Sequence, residues 1–251
     1  MELMIYAILS LESDSGKLDS ILTGIKGISG ADLYSVSFNA TTAIVSDINR
    51  TDLIANSSNA IAYAGVIETL AQQYSLLPMR FGSIMESTGA ILRMLERNHP
   101  EIEKNLLKVK NKVEFGLKVF CDSEKLKGEL IRISEAKTAR PPHQTPEPQI
   151  SVFREYVNKK LEAHKLEEML LAHVDSVIAG ITNHLDQLNA VCKFRKMVTE
   201  TMIIDAVILL ENSLKDPLIH QIEEFQIQFP GLNFVLTGPW PPYNFVETTI
   251  K

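Results

Sequence analysis

Apolar runs, amphipathic stretches and turn residues follow one another along this chain in an order that occurs twice. Residues 3–9 (LMIYAIL) are a short apolar run rich in strand formers. Residues 18–25 (LDSILTGI) fit a short helix ended by glycine-containing turns. Residues 31–38 (ADLYSVSF) and 41–48 (TTAIVSDI) read as two strands, with Asn39 and Ala40 between them as a tight hairpin. From Tyr63, apolar residues recur at 66, 67, 70, 71 and 74, the spacing of an amphipathic helix. Residues 76–85 (LLPMRFGSIM) read as one strand, and Pro78 places it at a sheet edge or a strand start, because proline has no N–H to give a ladder. The order is β-α-β-β-α-β.

Ser87 can cap a helix through AILRMLERN, and Pro100 sits in the first turn of the next, where its missing N–H costs nothing. The order then starts again. Val113, Phe115, Leu117 and Val119 alternate along one face of a strand at 113–122. A helix is expected from about Ser123 to Ser134. Residues 138–149 carry four prolines and read as an exposed, mobile loop. Leu166, Leu170, Val174, Val177, Ile181, Leu185 and Leu188 keep a helical spacing. An unbroken helix from 150 to 188 would reach roughly 55 Å, so it bends or packs on a partner. Two strands (VCKFRKM and TMIIDAVILLE), a helix with Asp216 capping and Pro217 in its first turn, and a last strand (LNFVLTG) complete the second pass. The expectation is an α+β chain of two ferredoxin-like units, the second with a helical insertion. The first domain covers 1–110 with trailing helices, the second 111–251.

Length and composition narrow the function. A chain of 251 residues, 45% hydrophobic, is large enough for one or two real cores. A net charge of −6 with scattered basic residues argues against nucleic acid. No apolar run approaches a bilayer span, and the acidic Glu2 in an N-terminus without basic residues argues against a secretory leader. Two cysteines, Cys121 and Cys192, make no disulfide framework; the reading is a cytosolic chain with reduced thiols.

No catalytic constellation is legible. The six histidines include no helical i, i+4 pair and none lies near a Cys-x-x-Cys, so no metal site is expected. Phosphate-binding glycine loops and a nucleophile elbow are missing, so no cofactor is expected either. Asp205 interrupts an apolar strand; if buried, it needs a partner such as Arg195 or Lys193 on the neighbouring strand.

Two stretches stand out. In LLPMRFGS, Arg80 and Phe81 end the expected strand, and Gly82 permits a turn. The Arg80 guanidinium can bind a carboxylate or backbone carbonyls across a domain junction, or reach a partner. In TGPWPPYNFV (237–246), Pro239, Pro241 and Pro242 lack N–H groups, so the tail is expected to leave the sheet as a stiff strip presenting Trp240 and Tyr243. It serves as a lid on the C-terminal core, as a docking strip, or as both.

TGPWPPYNFV resembles the C-terminal hallmark of the gas vesicle accessory proteins GvpF and GvpL. LLPMRFGS is similar to the central motif of that family, and VEFGLKVF to the strand after it, where the family often has Trp at the position of Phe115. The order and spacing of all three agree along essentially the whole chain; its modest length leans towards GvpF. The resemblance implies a non-enzymatic protein of the cytoplasm, associated with the gas vesicle. It implies that the chain helps to assemble the protein shell or forms a minor part of it. Its partners would be the principal shell protein, a small and very apolar subunit that aggregates if left free, and other gas vesicle accessory proteins. The residues offered for such contacts are Arg80, Phe81, Trp240, Pro241, Pro242 and Tyr243. The competing class is a cytosolic regulatory protein that senses a small molecule between paired ferredoxin-like units.

Overall fold

The computed structural model describes residues 2–11, 15–121, 168, 172, 174–195, 201–229 and 231–246. Within these the chain is a mixture of helix and antiparallel sheet, in two sheets and two compact units. The proline-rich stretch 138–149, the helix expected near 123–134, Leu166 and Leu170 lie outside the described residues.

The first unit holds the chain up to Phe115, then Leu209–Lys215, then the chain from Gly238 onwards. Its elements are β1 (Glu2–Ser10), α1 (Ser15–Gly24), β2 (Leu33–Phe38), β3 (Thr41–Ile48), α2 (Ser57–Ala71), β4 (Leu76–Pro78), β5 (Ile84–Met85), α3 (Thr88–Arg97) and α4 (His99–Val109). The sheet runs β2-β3-β1-β4, with β5 also paired to β1. Helices cover both faces of β1. Met4, Tyr6 and Leu9 pack with Leu22 of α1 and Tyr63 and Ile67 of α2. Leu3, Ile5 and Ile8 pack with Ile91 and Leu95 of α3 and Leu106 of α4. That two-sided burial is why residues 3–9 are apolar without alternation. Asn39, at φ 52°, supports the hairpin that sets Phe38 against Thr41. Asn56 caps α2 by accepting the Asn59 N–H at 2.8 Å, and Ser87 caps α3 by accepting that of Ala90 at 3.2 Å.

Residues 76–85 are not one strand. β4 pairs with Leu9 to Ala7 of β1, and β5 with Met4 and Leu3. The Met79 N–H donates to the Tyr6 carbonyl, the Ile5 N–H to the Ser83 carbonyl, and Arg80, Phe81 and Gly82 form the turn between. Gly82 at φ +84° makes that turn possible.

The second unit comprises Gly116–Ile208 and Asp216–Thr237. Its strands are the greater parts of β6 (Lys112–Cys121), β8 (Met202–Glu211) and β9 (Leu232–Trp240), together with β7 (Val191–Phe194), in the order β7-β8-β6-β9. Leu117 and Val119 of β6, Ile204 and Ile208 of β8, and Leu218 and Ile222 of the helix Lys215–Gln228 are buried. Gln226 ties that helix to β9: its side chain donates to the Leu232 carbonyl at 2.7 Å and accepts the Phe234 N–H at 2.9 Å. A second helix covers 174–187 and buries Val177, Ile181 and Leu185. The Arg195 N–H donates to the Asp205 carbonyl at 2.7 Å, so the expected neighbours are brought together through the backbone.

The tail departs from expectation. β9 does not end before the prolines but continues through Gly238 and Pro239 to Trp240. β9 is the last strand in the sheet order, and an edge strand tolerates a residue with no N–H.

Candidate functional site

The three sequence stretches that stand apart in the chain meet in the first unit. LLPMRFGS meets Tyr63 of α2 through Phe81, and Tyr243 of the tail acts on the same phenol. The Tyr63 ring stacks on Tyr6 at 5.8 Å between centroids and takes the edge of Phe81 at 5.5 Å. Its hydroxyl donates to the Met79 carbonyl. Phe81 is thereby drawn into the core on the α1/α2 side of the sheet. Its neighbour Arg80 stays exposed, and its guanidinium makes no ion pair among the described residues. The Arg80 carbonyl closes the turn by accepting the Ser83 N–H at 3.0 Å and the Ser83 hydroxyl at 2.7 Å.

The tail reaches the same place. The Tyr243 N–H donates to the Pro241 carbonyl at 2.7 Å, a three-residue turn that presets the strip. Pro241 and Pro242 are buried, Phe245 is wholly buried, and Val246 packs against the core on the α3/α4 side. Trp240 and Tyr243 remain 43% and 40% exposed. Burial, and then the charges of Glu68 and Glu114, push the Tyr243 phenol up to about 12. Burial, and then Tyr243 and Tyr6, raise Tyr63 as well.

VEFGLKVF supplies the third part. Glu114 of β6 is only 3% exposed and accepts the Asn244 backbone N–H at 2.8 Å and the Asn244 side-chain amide. Gly238, at φ +124°, backs onto the same residue: a Cβ there would stand 2.8 Å from the Glu114 carbonyl oxygen and 3.1 Å from the Phe115 ring. Beside the tail lies a groove of about 520 Å³ lined by Pro239, Trp240, Pro241 and Pro242 together with Glu68, Gln72, Tyr74, Asn111 and Lys112. One wall is stiff and aromatic, and the others carry amides and both signs of charge.

Of the residues singled out in the sequence, Phe81 and Tyr243 converge on Tyr63. Pro241, Pro242 and Trp240 line the groove, and Arg80 stands in solvent next to Phe81. Tyr63, Glu114, Gly238 and Asn244 escaped sequence reasoning. Tyr63 carries the signal of a core residue, and Glu114 that of a solvated charge beside a basic helix. The tail from Gly238 onwards belongs to the first unit.

Burial, and then the charge of Asp186, push the Cys192 thiol up to about 11, so it is protonated at neutral pH. The described residues hold no cluster of His, Cys, Asp and Glu fit for a metal ion, and no helix among them is long and apolar enough to cross a membrane.

A family model described as gas vesicle synthesis protein GvpL/GvpF matches residues 2–247. Gas vesicle protein F1 of Halobacterium salinarum is 21% identical over 250 residues, covering 98% of this chain and 94% of that protein. The crystal structure of the gas vesicle protein GvpF from Anabaena sp. PCC7120 aligns with a TM-score of 0.74 at 20% identity, over 99% of this chain and 97% of that one. The GvpF structure from Microcystis aeruginosa aligns with a TM-score of 0.73 at 16% identity, over 98% and 99%. At these identities the solved structures establish a common fold.

Proposed function

The chain belongs to the GvpL/GvpF family of gas vesicle synthesis proteins, and from that membership we propose that it assembles the vesicle shell by binding the principal shell protein directly and without catalysis. Its accessory role in gas vesicles follows from the family; the contact with the shell protein is the proposal. One observation carries it. The tail holds Trp240 and Tyr243 half exposed on a strip whose two prolines and Phe245 are buried, beside an open groove. Aromatic side chains that are already ordered lose little entropy on binding and make good anchors. An apolar, strand-rich shell subunit meets such a surface by apolar burial and backbone pairing.

Contact of that kind survives salt that screens surface charges. The test is co-purification of this protein with the shell subunit at low and high salt, followed by deletion of the gene in a host that forms gas vesicles. Capture at both salt levels and defective vesicles are expected. Normal vesicles in the deletion strain, with no capture at either salt, would remove the reading. A thermal-shift response to metabolites would then favour the sensor class.

A further inference from the structure

Among the described residues, Glu114 is the one charged side chain that the fold buries almost completely. A carboxylate is costly to bury unless both oxygens find donors. Asn244 of the tail supplies a donor to each oxygen. Oε2 accepts the backbone N–H of Asn244 at 2.8 Å, and Oε1 accepts its side-chain amide. Glu114 touches the tail a second time through its backbone, where its carbonyl oxygen lies so close to Gly238 that no Cβ fits. The strip from Pro239 to Tyr243 is therefore flanked on both sides by contacts to Glu114 of β6, in addition to the burial of Pro241 and Pro242.

We propose that Glu114 is the positioning residue of this aromatic strip. Its carboxylate sets the orientation in which Trp240 and Tyr243 are presented, and it does so by matching acceptors to donors rather than by filling space. An ionised carboxylate accepts on both oxygens and donates on neither, so the partner at 244 must offer two donors. Asparagine does. Aspartate has nearly the same shape but offers one donor and a second charge. Exchanging Glu114 for glutamine as well reverses the side-chain bond: the new amide donates to the new carboxylate, while its oxygen still accepts the backbone N–H.

The chain has a single tryptophan, Trp240, so its fluorescence reports on the strip alone. The experiment compares Asn244→Asp, Glu114→Gln and the double variant at pH 8. It reads acrylamide quenching of Trp240, hydrogen exchange at Tyr243 to Phe245, and far-ultraviolet circular dichroism. Asn244→Asp should raise the quenching constant about twofold and speed exchange about tenfold, while secondary structure is kept. The double variant should restore both readings. Glu114→Gln alone should change them little, because the Asn244 amide can turn over and present its oxygen.

Two results overturn the proposal: unchanged readings in Asn244→Asp, or a double variant as disturbed as Asn244→Asp. If Asn244→Asp does not fold, the double variant decides by folding or failing. A partner arm rests on the shell-binding reading: capture of the shell protein should weaken in Asn244→Asp and return in the double variant. If the Trp240 readings behave as stated while the unaltered protein captures no shell subunit, the positioning role stands and the shell-binding reading falls.

Discussion

Trp240 and Phe245 stand five positions apart and answer to different demands. Phe245 is wholly buried, so Phe245→Ala should cost about 3–5 kcal/mol of stability, the loss expected when a buried aromatic leaves a cavity. Trp240 is nearly half exposed, and Trp240→Ala should cost about 1 kcal/mol, the transfer value of a partly covered ring. Urea denaturation measures both, and equal losses would make Trp240 a core residue rather than an anchor. Tyr243 adds a pH signature. Its folded phenol lies near 12, above the ordinary 10. The neutral form is therefore favoured by folding, and the contribution is complete below pH 10 and lost as pH rises from 10 towards 12. Tyrosinate absorbance followed alongside Trp240 fluorescence should show the strip loosening in that window; loosening below pH 10 would exclude this cause. In the sequence, Trp240 and Tyr243 could be picked out because a large aromatic among prolines is unusual. Glu114 and Asn244 could not, because each is ordinary until the other is placed beside it across 130 positions.

At the scale of elements, alternation and capping carried most of the reading. β2 and β3 with their hairpin, α2 from Tyr63 onwards, the Ser87 cap and the buried face of β6 all lie where local pattern puts them. Two elements did not. Whether a proline may remain in a strand depends on which strand is an edge, a property of topology that no local window contains, and so β9 runs further than its prolines suggest. The stretch 76–85 breaks into β4 and β5 because Gly82 takes a positive φ, which glycine permits but does not announce. These two glycines give a graded prediction. Gly82→Ala is strained by its φ of +84° but meets only the Leu53 side chain at 3.5 Å, and should cost about 1–2 kcal/mol. Gly238→Ala is strained at φ +124° and also meets the Glu114 carbonyl oxygen at 2.8 Å, and should cost about 3 kcal/mol or more. Thermal denaturation orders the two; a reversed order would mean that the tail near Gly238 can yield.

For the whole molecule, the consequential fact is that the first unit is discontinuous. It draws on the chain up to Phe115, on Leu209–Lys215 and on residues from Gly238 onwards. A chain ended at Thr237 keeps every residue of α2 but loses Pro241, Phe245 and the Tyr243 that acts on Tyr63. Hydrogen exchange at Tyr63 to Leu70 should therefore quicken about tenfold or more, while Ile204 to Ile208 in β8 keep their protection. Equal protection of the Tyr63–Leu70 segment in both chains would show that the tail is an ornament on a unit complete without it.

That discontinuity also has a consequence in time. A ribosome delivers residues 2–115 early, but the segment that completes their unit follows only after Gly116–Thr237 has been made. Until then the aromatic strip does not exist and the first unit lacks the buried Phe245. A chain broken off before Gly238 thus leaves an unfinished first unit without Trp240 and Tyr243. If the proposed shell contact holds, only a chain translated past Gly238 carries the strip that makes it, so synthesis of the tail times the onset of binding.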